Sequence, residues 1–138
     1  MSPHLLDGMR YARQRGMKVG LFTNGSLLGP EQIDELLDLG PTFVRISLDA
    51  GNSMIHRLIH GYDESDGHFP RILAKLGYMA KTKVQRHSET TIGIGVSVEP
   101  VNLYDLASIA ETVREIVEIP PKGGIDYVVF RPVVNYEC

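Results

Sequence analysis

A chain of 138 residues with 43% hydrophobic and 22% charged residues has the size and make-up of one globular domain around one core. Its net charge of -3, with the basic residues scattered, leaves no electrostatic footprint for nucleic acid, and no run of about 18 apolar residues marks a membrane span. The single cysteine, Cys138, is the last residue, which excludes an intramolecular disulfide and any multi-cysteine metal site built within these residues.

The start, Met1-Ser2-Pro3-His4-Leu5-Leu6-Asp7, has no basic stretch leading into an apolar one, so no signal peptide is expected and a cytoplasmic location is the default. Leu5, Leu6, Met9, Tyr11 and Ala12 then recur at helical spacing until Gly16. Met17 to Thr23 (MKVGLFT) has the length of a buried strand and runs into the turn signal Asn24-Gly25. Pro30 to Leu39 reads as a helix, with Pro30 in its first turn, Glu31 and Asp34 at its positive end and Gly40 as its stop.

Phe43 to Asp49 (FVRISLD) is a second predicted strand, followed by a short helix from Asn52 to His60 and a loop from Gly61 to Gly67. Phe69 to Lys83 has helical spacing through Ile72, Leu73, Leu76 and Met79. Lys81, Lys83, Arg86 and His87 form the nearest thing to a basic cluster and are read as capping that helix and solvating the next loop. Thr90 to Val98 (TTIGIGVSV) is a third strand, Leu103 to Val117 a further helix with Asn102 as N-cap, and Ile125 to Arg131 (IDYVVFR) a fourth strand. The alternation of near-continuous apolar strands with helices predicts a single α/β domain over 1–138 with a parallel sheet covered on its faces.

The strands end in polar or special residues: Thr23-Asn24-Gly25, Ser47-Leu48-Asp49, Ser97-Val98-Glu99-Pro100 and Arg131-Pro132. In parallel α/β folds ligands bind where the C-terminal strand ends converge, so these four ends define one candidate site. Structural roles compete with that role at each position. Thr23 to Ser26 makes a tight turn on its own, and Asp49 is placed to cap the helix that begins near Asn52. Glu99 suits a solvated loop, and Arg131 would either pair with Glu99 or Asp49 or bind an anion. His56 and His60, an i,i+4 pair with no glutamate between them, are read as a solvated helix end rather than a metal site. Gly93 and Gly95 lie within a strand, so they permit close backbone approach or a bulge rather than cradling phosphate.

The ordered set GMKVGLFTNGSLL, FVRISLDAGN, HRLIHG, TTIGIGVSVEPVN and IDYVVFRPVV resembles successive strand ends of a radical S-adenosylmethionine (SAM) core. That resemblance implies a partial TIM-type (βα) barrel, with four strands present here of a six-strand core. It implies that Ser47 and Asp49 hydrogen-bond the ribose and aminoacyl parts of SAM, and that Thr23 and Asn24 line the same cleft. It also implies that Val96, Ser97, Val98 and Phe130 meet the adenine edge, and that Arg131 meets a carboxylate of SAM or substrate.

The family holds a [4Fe-4S] cluster on a C-x3-C-x2-C loop and uses it to cleave SAM reductively to a 5′-deoxyadenosyl radical. No such loop is present, nor a Gly-Gly-Glu-like strand end, and Ser2-Pro3-His4-Leu5 resembles the entrance to the family's second helix. The expectation is therefore the SAM-binding portion of a radical SAM enzyme, a truncated, split or expressed piece inactive alone. Its small-molecule or peptide substrate is unspecified, and the cluster segment or a partner chain would complete it. Two other readings stand beside it: a non-catalytic half-barrel that docks on a partner chain, and an unrelated (βα)-barrel lyase. Neither nucleic acid nor membrane is an expected partner.

Overall fold

The computed structural model describes residues 4–61, 65 and 67–133. Cys138, the Ser2-Pro3 start and residues 62–64 and 66 of the loop after His60 lie outside the described residues. The elements in chain order are α1 (Leu5–Gln14), β1 (Gly20–Thr23), α2 (Pro30–Leu39), β2 (Phe43–Ser47), α3 (Ser53–His60), α4 (His68–Gln85), β3 (Thr91–Val98), α5 (Leu106–Glu118) and β4 (Tyr127–Pro132). The four strands form one wholly parallel sheet in the order β1-β2-β3-β4. Sequential neighbours joined through helices are the connectivity of a partial (βα) barrel.

Local chemistry explains the element ends. Pro30 opens α2, where its missing N–H costs nothing, and the Gln32 side chain accepts the Gly29 N–H at 3.1 Å. Gly40 ends α2 in the left-handed region, at φ 65°. Asn52 caps α3 by accepting the Ile55 N–H at 3.0 Å. Two expected boundaries shift by three residues. β1 begins at Gly20 rather than Met17, whose side chain is exposed, and in that lead-in the Val19 carbonyl accepts the Thr42 N–H just before β2. α5 begins at Leu106 rather than Leu103, because Asn102 does not cap it. The Asn102 side chain is turned inward and fully buried, bonded to the ends of β2 and β3.

The core lies between the sheet and its helices. Leu21, Val44, Ile46, Ile92, Ile94 and Val96 point one way from the strands and are buried with Ile33, Leu36, Leu76, Met79 and Ile109 of the helices. The opposite row carries Phe22, Arg45, Gly93 and Tyr127 at one level of the register and Ser47, Gly95 and Val129 at the next. Phe22 on that row is 60% exposed. The basic residues at the end of α4 do more than solvate a loop: Lys83 pairs with Asp126, and Arg86 with Asp34 and Asp38. Among the described residues no helix is long and apolar enough to cross a membrane.

Candidate functional site at the strand ends

The turn after β1 is tied by its own side chains. Gly25 N–H donates to Thr23 Oγ1 at 3.1 Å, and Ser26 donates to Asn24 Oδ1 from both its N–H (3.1 Å) and its hydroxyl (2.7 Å). Gly25 has φ +72°, which a residue with a Cβ adopts only at a cost. Lys75 of α4 reaches up to this turn and donates to the carbonyls of Gly25 (3.2 Å) and Ser26. Burial, and secondarily the charge of Arg71, pushes the Lys75 ammonium below its ordinary pKa. Thr23 pairs in register with buried Ile46 and so belongs to the helix-facing row, whereas Asn24 lines a pocket at the strand ends.

That pocket is formed by Asn24, Ser47, His56, His60, His68 and Ile72. Its volume is about 40 Å³, room for a few waters at roughly 10–15 Å³ each, so a nucleoside would have to lie over it rather than inside it. Ser47 is exposed at its rim. Asp49 does not cap α3. Its Oδ1 accepts the Ser97 N–H at 2.7 Å, and its Oδ2 lies 3.9 Å from His60 Nε2.

Two further side chains hold this arrangement. Asn102 Nδ2 donates to the carbonyls of Asp49 and Ser97, each at 2.8 Å, and its Oδ1 accepts the Glu99 N–H at 2.8 Å. Buried Asp105 accepts Gly51 N–H at 2.7 Å and Asn52 Nδ2 at 3.0 Å. Asn102 therefore clamps the ends of β2 and β3 together, while Asp105 fixes the loop that follows Asp49.

The histidines are not a solvated helix end. His56 is only 4% exposed, its Nε2 lies 2.9 Å from His68 Nδ1, and its ring centroid lies 4.6 Å from that of His60. Burial, with smaller contributions from His60 and His68, lowers the His56 pKa to about 4, and Asp49 opposes that shift. His56 is therefore neutral at pH 7. The helix spacing of His56 and His60 produced the contact between them, and α4 brought His68 to the other side. Among the described residues no group of His, Cys, Asp and Glu is arranged to hold a metal ion.

Ser97 and Arg131 are register partners on the open row, beside Asp49. Arg131 is exposed and forms no ion pair with any described residue, so the expected bridge to Glu99 or Asp49 is not made. Glu99 is itself exposed. Val96 is fully buried among the helices, while Phe130 is partly exposed. The strand ends thus bring together Asn24, Ser47, Asp49, Ser97 and Arg131, with Thr23 turned the other way. A more open cleft of about 600 Å³ lies at the opposite ends of the strands, between Arg13, Asp38, Arg86, Glu89 and Thr90. In parallel barrels that end serves stability rather than ligand binding, so the smaller pocket is the candidate site.

A parallel, sequentially ordered (βα) sheet with polar residues gathered at the C-terminal strand ends defines a domain of the partial (βα)-barrel class. The sequence matches the Radical SAM superfamily over residues 1–107, and the chain belongs to that superfamily. It is 29% identical over 128 residues to the AdoMet-dependent heme synthase of Methanosarcina barkeri, a match covering 93% of this chain and 32% of the relative. It is 40% identical over 47 residues to the tungsten-containing aldehyde ferredoxin oxidoreductase cofactor-modifying protein of Pyrococcus furiosus, covering 34% of this chain and 13% of that protein. An uncharacterized protein of Methanocaldococcus jannaschii is 34% identical over 80 residues, covering 55% and 27%. The chain thus spans about a third of the length of the heme synthase it matches. Membership of the superfamily removes the alternative of an unrelated (βα)-barrel lyase.

Proposed function

We propose that this chain supplies the ribose- and adenine-facing side of a SAM cleft in a radical SAM protein. The observation that carries the proposal is the Asp49 carboxylate, held by the Ser97 N–H and placed beside exposed Ser47 at the C-terminal end of β2. A carboxylate with one oxygen fixed by the backbone is a preorganised acceptor for the hydroxyls of a ribose, and a neighbouring serine hydroxyl adds both a donor and an acceptor. Asn24 and Ser97 extend the polar surface on either side, and Arg131 offers a cation to a carboxylate.

The [4Fe-4S] cluster fits these residues poorly. It is held by cysteine thiolates, and no described residue is a cysteine. Its ligands would come from polypeptide outside these 138 residues, and the radical chemistry belongs to that larger assembly. A second reading, a half-barrel that docks on a partner, draws on β1, which is paired on one side only among the described strands.

Calorimetric titration of the chain with SAM tests the proposal. Asp49→Asn should weaken SAM binding about tenfold or more, and Ser47→Ala several-fold, with thermal midpoints little changed. Equal affinity in the wild type and Asp49→Asn would sink the assignment.

A further inference from the structure

We propose that Arg45, in the middle of the open face of the sheet, is an anchor for a flat organic carboxylate. The site lies deeper than the strand-end residues and extends the SAM reading to the substrate side of the same face, but its own basis is independent of SAM.

Arg45 sits on the central strand β2, level with Phe22 on β1, Gly93 on β3 and Tyr127 on β4. Its side chain is half-buried and forms no ion pair with any described residue. Nε donates to the Tyr127 hydroxyl at 3.2 Å, which uses one of the several N–H groups of the guanidinium and neutralises none of its charge. The Cζ atom lies 4.7 Å from the centroid of the Phe22 ring and 5.7 Å from that of Tyr127.

The two glycines of β3 create this arrangement. A Cβ on Gly93 would stand 2.1 Å from the Tyr127 ring, and one on Gly95 would stand 3.1 Å from Arg45 Cδ. With no side chain rising from β3 at these levels, Arg45 and Tyr127 lean over the strand from either side and meet above it. The close backbone approach expected from this glycine pair is in fact an approach of two neighbouring side chains.

A half-buried arginine without a counter-charge is an unfavourable choice for packing alone, where an apolar residue would serve better. Its planar fork suits a carboxylate, and the exposed Phe22 ring, with the Phe43 ring edge-on to it at 5.2 Å, offers a flat apolar surface alongside. One cation beside an aromatic surface fits a monocarboxylate on a flat apolar body better than inorganic phosphate, whose larger charge calls for more donors.

Benzoate is the probe, with benzamide as its neutral counterpart. Binding to the chain is followed by calorimetry and by the Nε–Hε resonance of Arg45 in NMR spectra. Benzoate should bind saturably and shift that resonance, benzamide should do neither, and Arg45→Gln should lower benzoate affinity about tenfold or more. Arg45→Lys, which keeps the charge but loses the fork, and Gly95→Ala, which crowds the arginine stem, should each weaken binding while remaining folded by thermal melt. Arg114→Ala, exposed on α5, should bind as the wild type does. Equal benzoate affinity in wild type and Arg45 variants, equal binding of benzamide, or no saturable benzoate binding would overturn the proposal. Displacement of benzoate by inorganic phosphate at equal affinity would overturn the choice of carboxylate. The SAM titration reads Ser47 and Asp49 and the benzoate titration reads Arg45, so failure of one is distinguishable from failure of the other.

Discussion

The two faces of the sheet are made from alternate residues of the same strands, yet they follow different rules. On the helix-covered face, Val44, Ile92, Ile94 and Val96 are wholly buried β-branched residues. On the open face the same strands present Arg45, Ser47, Gly93, Gly95 and Ser97. The first face is specified by volume and apolarity, which any well-packed core demands. The second breaks strand preference with a cation, glycines and hydroxyls, and such departures mark places where something other than packing set the residue.

Truncation on the covered face should therefore produce the largest effect. Ile94→Ala leaves a cavity in the core between sheet and helices and should cost about 2–5 kcal/mol. Phe22→Ala, on the open face and 60% exposed, should cost less than about 1 kcal/mol. Urea denaturation of the two variants measures the contrast, and equal losses would show that the open face is packed as a core. Next in size, Asn102→Ala should cost about 2–3 kcal/mol, because it leaves the carbonyls of Asp49 and Ser97 and the Glu99 N–H without their partner. It should also loosen the junction of β2 and β3, seen as faster amide exchange at Ser97.

Acid tests a group at the junction of the two faces. His56 has a folded pKa near 4 against an ordinary value of 6.5, so the unfolded chain binds its proton more readily than the folded one. The associated stability is fully present above about pH 6.5 and is lost as the pH falls from there toward 4, by at most about 3 kcal/mol. His56→Gln should flatten the stability profile over that window. An unchanged profile would mean that the buried imidazole is not the source of acid sensitivity.

The covered face was the easier one to read from sequence. Its apolar runs give all four strands, and the polar punctuation after each run gives the strand ends, so the parallel α/β architecture follows from pattern alone. The open face was legible only at its rim. Ser47 and Asp49 stood out because they interrupt an apolar run two residues apart, but Arg45 in Phe43-Val44-Arg45-Ile46-Ser47 carried the same signal without being singled out. His68 was not legible as a partner of His56, because their contact depends on how α4 packs beside α3. Asn102 was misplaced for a similar reason. A residue type favoured at helix starts was instead drawn inward by three unsatisfied backbone groups, which only the tertiary fold brings together.

The smallest expected effect lies on the open face at Ser47, and it bears most directly on the difference between the faces. Ser47 is exposed although it continues the β2 register opposite Gly95, so its hydroxyl contributes no burial and Ser47→Ala should change unfolding free energy by no more than about 0.5 kcal/mol. The same substitution is expected to weaken SAM binding several-fold. A side chain that matters to a ligand and not to the fold is what a binding surface requires, whereas one that matters to both would belong to the core. If Ser47→Ala lowered the urea midpoint as far as Ile94→Ala does, the open face would have to be regarded as a second packed layer, and the placement of the SAM and carboxylate sites on it would fall together.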